Sequence, residues 1–94
     1  MAEEAGPAKI SMVYVGRKPM GVYLARAVMG LAEGHEVRIV ARGVFIGKAV
    51  TVAMRTIKAT GCDYDVDIGE EALSTGEQTR LVPKIEIKLR SRRP

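Results

Sequence analysis

The sequence predicts an α+β two-layer sandwich with the element order β-α-β-α-β-β. A mixed four-stranded sheet carries two helices on one face, and the last two strands form a long hairpin arm. Three observations lead to this class. Two short apolar runs, residues 10–15 and 35–42, each lead into a helical pattern. The last third of the chain alternates with period two on both sides of the turn signal "STGE". The outer part of that hairpin then loses its apolar pattern, so nothing anchors it to a body.

Residues 1–9 carry Gly6-Pro7 and no periodicity, and are expected to form a loose tail, leaving 10–94 as one domain. "ISMVYV" (10–15) is short, apolar and β-branched, which reads as a buried strand. In the following "GRKP", Pro19 suits the first turn of a helix, where its missing N–H costs little. "MGVYLARAVMGLAEG" is the first helix, stopped at Gly34. Met20, Tyr23, Leu24, Ala27, Val28 and Leu31 make one face, yet Val22, Ala25 and Met29 make the opposite face apolar too. One sheet face cannot cover both, so a two-fold dimer interface is expected on this helix, with Val22 and Met29 in it. Gly21 and Gly30 would permit close approach there.

"HEVRIVAR" is the second strand, and "IGKAVTVAMRTIKATG" the second helix, ended by Gly61. The apolar stripe of this helix is Ile46, Ala49, Val50, Ala53, Met54 and Ile57; Lys48, Thr51, Arg55 and Lys58 lie on its other face. In "CDYDVDIGEEAL", Tyr64, Val66 and Ile68 point inward and Asp63, Asp65 and Asp67 outward. "TRLVPKIEIKLR" returns with Ile85, Ile87 and Leu89 inward. Pairing Leu73 with Gln78 sets Val66 against Ile85, Tyr64 against Ile87, Asp67 against Lys84 and Asp63 against Lys88. Pro83 falls where the pairing must bend or form an edge. Eight residues of arm would reach roughly 25 Å.

Ninety-four residues, 47% of them apolar, suffice for one small core. With only Tyr14, Tyr23, Phe45 and Tyr64 aromatic, that core must be aliphatic. No run is long enough to span a bilayer, and the start "MAEEAGPAK" lacks an apolar segment behind a basic one, so a cytoplasmic protein is expected. Cys62 and His35 each occur once, which leaves no disulfide framework, no metal-ligand cluster and no expected cofactor. Charge is segregated. Residues 5–62 hold nine bases against Glu33 and Glu36, 63–77 hold six acids and no base, and 78–94 hold six bases against Glu86. Such segregation can build a basic face for a polyanion, or a merely solvated surface.

"ARGVFIGKAV" (41–50) nearly matches a nucleotide-binding loop, G-x-x-x-x-G-K-[ST]. Gly43 and Gly47 enclose three residues rather than four, and Ala49 stands where a magnesium-binding hydroxyl is needed. No Ser/His/Asp or Cys/His constellation is visible, and the carboxylates cluster on a solvated strand, which argues against catalysis. What survives is a helix start with free N–H groups, preceded by Arg42 and carrying Lys48 in its first turn, able to hold a phosphate of a nucleic acid backbone.

"VGRKP" after the first strand, "ARGVFIGKAV" before the second helix and "IEIKLR" in the last strand resemble the Alba family of archaeal chromatin proteins, over roughly residues 9–92. The resemblance implies a basic, chromosome-associated homodimer that coats and compacts double-stranded DNA with little sequence preference, with dimer–dimer association along the DNA as a further expectation. The alternative it carries is an RNA-binding subunit of an RNA-processing complex. It places Arg17 and Lys18 on one DNA-facing loop, Arg42 and Gly43 on a second with Lys48 beginning the helix, and Arg80 on an arm that reaches along the minor groove. Where the family often has two lysines this chain has Arg17-Lys18, leaving Lys18 as the candidate for acetylation. Val22 replaces a frequent Asn, and Thr60 an aromatic that some members use for dimer–dimer packing. Phe45 is expected to pack under its loop or at a dimer contact rather than on nucleic acid.

Overall fold

The structure, a computed structural model, describes residues 9–92. The expected loose tail and the end of "SRRP" fall outside these, except that the Lys9 carbonyl accepts the N–H of Glu36 at 2.9 Å. The order is β1 (Ile10–Tyr14), α1 (Met20–Ala32), β2 (Glu36–Arg42), a 3-10 turn (Gly43–Phe45), α2 (Ile46–Thr60), β3 (Asp63–Thr75) and β4 (Gln78–Arg90). The sheet runs β1-β2-β4-β3, with β1 and β2 parallel and the other pairs antiparallel. The α+β sandwich read from the sequence is the observed architecture. None of its helices is long and apolar enough to cross a membrane.

Both helices lie over the centre of the sheet, α1 on β1 and β2, α2 on β2 and β4. Their contact faces close over Val13, Val37, Ile39, Ala41, Ile85, Ile87 and Leu89. Gly30 is where α1 approaches most closely. A Cβ there would stand 2.7 Å from Val37 Cγ2 and 3.3 Å from Ser11 Cβ, so the glycine serves helix-on-sheet packing. On the far side of α1, Met29 is exposed and Val22 half-buried. Gly34 and Gly61, both at positive φ, end the two helices as the sequence implied.

Two readings need correction. In α2 the buried residues are Ala49, Val52, Ala53 and Thr56; Val50 and Met54 are exposed. The apolar arc of α2 is wide enough for two overlapping stripes, and the sheet selects the other one. Thr56 enters the core because its hydroxyl donates to the Val52 carbonyl at 2.8 Å, satisfying itself within the helix. The hairpin register is also shifted by two residues. Thr75 pairs with Gln78 around Gly76-Glu77, and Val66 faces Ile87, Tyr64 faces Leu89 and Ile68 faces Ile85. Gly76 has φ 61°, the left-handed backbone a two-residue hairpin loop demands. A shift of two keeps every side chain on its face, but it sets Asp67 opposite Glu86, with Asp65 opposite Lys88 and Asp63 opposite Arg90, so the ion pairs of Asp67 and Asp63 run diagonally. Asp67 pairs with Lys88 at 3.4 Å and Asp63 with Arg92 at 3.1 Å.

β2 stops pairing with β4 at Arg42 opposite Lys84. Beyond that rung β3 and β4 pair only with each other, and Pro83 is the first β4 residue past it. This free ladder is the arm, about 20 Å long at the usual rise per residue. It stretches the molecule to 54 × 27 × 18 Å, with a radius of gyration of 15.0 Å, against about 12 Å for a compact chain of this length. β3 is an outer strand, and Tyr64, Val66 and Ile68 point to the helical side of the sheet yet stay exposed, because α2 stops at β4.

Candidate nucleic-acid interface

Topology brings three features to one end of the sheet. β1 and β2 are parallel neighbours, so the loops after them, residues 15–19 and 43–45, leave from the same edge, each leading into a helix N-terminus. β4 is antiparallel to β2, so the arm rises from that edge too. No acid occupies the first turn of either helix, and no side chain caps either start. Two helix starts with partial positive charge and no acidic side chain therefore stand side by side, their first turns tightened by the Val22 N–H donating to the Pro19 carbonyl and the Ile46 N–H to the Gly43 carbonyl.

The first loop is held from two sides. The buried Tyr23 oxygen accepts the backbone N–H groups of Gly16 at 2.9 Å and Lys18 at 3.0 Å. From α2, the Lys48 ammonium donates to the Gly16 carbonyl at 2.8 Å and to the Lys18 carbonyl. The same ammonium sits 5.2 Å from the centre of the Tyr23 ring, over its electron-rich face. Burial pushes the Tyr23 phenol up, but the two N–H donors and the charges of Lys48 and Lys18 outweigh it and leave the phenol below its ordinary value. The loop's backbone is thus fixed while the side chains of Arg17 and Lys18 are exposed.

Lys48 therefore does not present itself as a free phosphate contact; at least two of its three donors are spent on the neighbouring loop. Arg42 is likewise engaged. Its Nε donates to Glu71 Oε1 at 2.7 Å, and Lys84 Nζ lies 3.9 Å from the same oxygen. The Arg42 hydrogen bond, backed by the charges of Arg42 and Lys84, holds the Glu71 carboxyl below the usual carboxylate range against the opposing effect of burial. Gly43, at φ 57°, turns the second loop against the arm, where an added Cβ would touch Val82 at 3.6 Å. Phe45 is half-buried and packs on the core. Arg80 faces Leu73 across the arm, exposed and without an ion pair among the described residues.

The structure thus gathers Arg17, Lys18, Arg42, Gly43 and Lys48 at one end, with Arg80 out along the arm. Sequence reasoning placed these positions but missed Tyr23, Glu71 and Lys84. Tyr23 carried a usable signal, since a tyrosine on the buried face of a helix needs a partner for its oxygen. Ser11 Oγ and His35 Nδ1 share a 2.7 Å hydrogen bond that the sequence did not reveal. Glu33 lies 3.8 Å from that same nitrogen and not the far one, so the three do not form a nucleophile, base and orienting acid in series.

Fold and site together define a class, small α+β proteins with paired basic loops and a projecting hairpin at one end of a four-stranded sheet. The chain belongs to the Alba family. It is 35% identical over 83 residues to "DNA/RNA-binding protein Alba" of Nitrosopumilus maritimus, covering 83% of this chain and 87% of that one. To the protein of the same name in Nanoarchaeum equitans it is 39% identical over 85 residues, covering 82% and 93%. Among solved structures, Alba from Thermoplasma volcanium superposes with a TM-score of 0.78 at 30% identity, over 85% of this chain and 99% of that one. ALBA1 from Trypanosoma brucei gives 0.68 at 25% identity, over 86% and 68%. No family model matches the chain.

Proposed function

We propose that this protein binds double-stranded DNA with little sequence preference, coating and compacting the chromosome as a homodimer through its basic loops and hairpin arms. The observation that carries this reading is the immobilised first loop. Tyr23 and Lys48 spend their polar groups on its backbone, leaving Arg17 and Lys18 exposed beside two helix starts with no acid in the first turn. Cations carried on a fixed backbone suit contacts to phosphates, which carry no sequence information. Arg80, exposed on the arm, would extend the contact along a groove. Lys18, exposed and bearing its charge at this face, is the position where acetylation would weaken it.

A second copy of the chain is the partner that best fits the uncovered apolar surface. Ile46, Val50 and Met54 lie at four-residue steps along α2, and Tyr64, Val66 and Ile68 at two-residue steps along β3. Ile46 and Ile68 line one groove. The strand runs opposite to the helix, and the steps match, about 6 Å on the helix and about 6.6 Å on the strand. The two rows form one face that a two-fold mate can bury like against like. Phe45, just before Ile46, lies at its margin. Val22 and Met29 on α1 offer a smaller alternative.

The test is the salt dependence of binding to a labelled duplex of mixed sequence. With about six to ten phosphates neutralised per dimer, affinity should fall roughly 10³- to 10⁵-fold between 50 and 200 mM salt. Arg17→Ala should flatten that slope by about one unit per subunit, equally on different sequences. A flat response in the parent protein would overturn the reading. The relatives named above are called DNA/RNA-binding, so competition between duplex DNA and RNA of equal length separates chromatin from ribonucleoprotein function.

A further inference from the structure

We propose that Glu71 is an internal anion occupying Arg42, so that nucleic acid engages this loop by exchanging the carboxylate for a backbone phosphate, and Glu71 thereby sets affinity and salt dependence. The proposal rests on the nucleic-acid-binding reading above. Glu71 is the only β3 residue that is not exposed. It lies in the arm, two rungs beyond the last β2–β4 pair, and reaches back to Arg42 Nε at 2.7 Å and to within 3.9 Å of Lys84. A carboxylate and a phosphate compete for a guanidinium by the same geometry, two oxygens against a planar fork of donors. Arg42 side-chain exposure is 40% and that of Glu71 is 35%. The pair is therefore reachable by solvent and by a ligand, and a pair so placed is weak enough to exchange. Arg42 is tied to the body through β2 and Glu71 to the arm, so the exchange would also release the arm from the loop at the moment a phosphate arrives.

The experiment compares the parent protein with Glu71→Gln, which keeps the shape and removes the charge, by anisotropy of a labelled duplex and a labelled RNA across 50–300 mM salt. Glu71→Gln should bind roughly two- to five-fold more tightly at low salt, the range that an exposed ion pair commands. It should also show a steeper salt slope, because Arg42 then releases counterions without freeing a carboxylate that recruits them. Glu70→Gln removes a charge from the next position, which makes no ion pair among the described residues, and should gain less. In an Arg42→Ala background the gain from Glu71→Gln should vanish. Unchanged or weaker binding by Glu71→Gln, or a gain equal to that of Glu70→Gln and retained without Arg42, would overturn the proposal while leaving the binding function in place. Failure of the parent protein to bind either polymer would overturn the function itself, and the proposal with it. Matching thermal melts of parent and variants establish that the comparison is between folded proteins.

Discussion

At the scale of single residues, the exposed cations of the first loop are carried on a backbone held by Tyr23 and Lys48. Tyr23 lies in the core, but its oxygen collects two N–H groups that the turn at Gly16 would otherwise leave unpaired. Tyr23→Phe removes that acceptor with almost no change of volume. Because two part-buried hydrogen bonds are lost while water can still reach the donors, the expected cost is about 1–2 kcal/mol, read from denaturant unfolding. The same variant should weaken duplex binding while leaving Arg17 and Lys18 intact, since they would no longer be held in one place. A variant as stable as the parent, with unchanged affinity, would mean that Lys48 alone fixes the loop. The sequence exposed the cations at this site but not their partners. Arg42 and Glu71 are far apart along the chain, and only the position at which β2 stops pairing brings them together. No periodicity within a segment carries that information.

At the scale of elements, the local patterns were legible where one face decides, and ambiguous where two faces compete. The strands, both helix stops and the projection of the arm follow from apolar alternation, glycine and loss of pattern. The hairpin register was not fixed, because alternation repeats every two residues and a slip of two preserves every burial. The loop then chose, through the left-handed Gly76. The stripe of α2 was misread for a related reason. Apolar and small residues lie on a wide arc, and only the packing of the helix on β2 and β4 chooses Val52 and Thr56 over Val50 and Met54. The glycines of α1 test this level directly. Gly21 faces open space, so Gly21→Ala should gain up to about 1 kcal/mol from helix propensity. Gly30 faces Val37 Cγ2 at a distance no Cβ tolerates and Ser11 at a tight one, so Gly30→Ala should lose roughly 1–3 kcal/mol by overpacking despite the same propensity gain. Thermal melts of the two variants should move in opposite directions. Equal shifts would show that α1 does not rest on the sheet as closely as Gly30 implies.

At the scale of the whole molecule, the question is where the apolar surface left over by an elongated 94-residue chain is covered. The sequence led to α1, because that helix is apolar on two sides. The fold answers part of this excess itself, since Gly30, Tyr23, Ala27 and Leu31 go to the sheet and leave mainly Met29, 61% exposed, and a half-buried Val22. The larger remainder lies elsewhere, on β3 beyond the reach of α2, where Ile68 is 82% exposed and Val66 and Tyr64 are exposed after it, and on α2, where Val50 and Met54 are exposed. Such a row on an outer strand invites association, and a two-fold mate would cover it without an open-ended chain of contacts. Placing a charge in each candidate face separates them. Met54 and Met29 are both exposed, so Met54→Asp and Met29→Asp should each leave the monomer fold intact. Sedimentation at micromolar concentration should give twice the 10.2 kDa chain mass for the parent and for Met29→Asp, and the single-chain mass for Met54→Asp. The reverse pattern would put the interface on α1, and a parent that sediments as a monomer would remove the dimer altogether. The dissociated variant would also lose much of its affinity for long duplexes, because two linked sets of cations engage one polymer at high effective concentration and a single set does not.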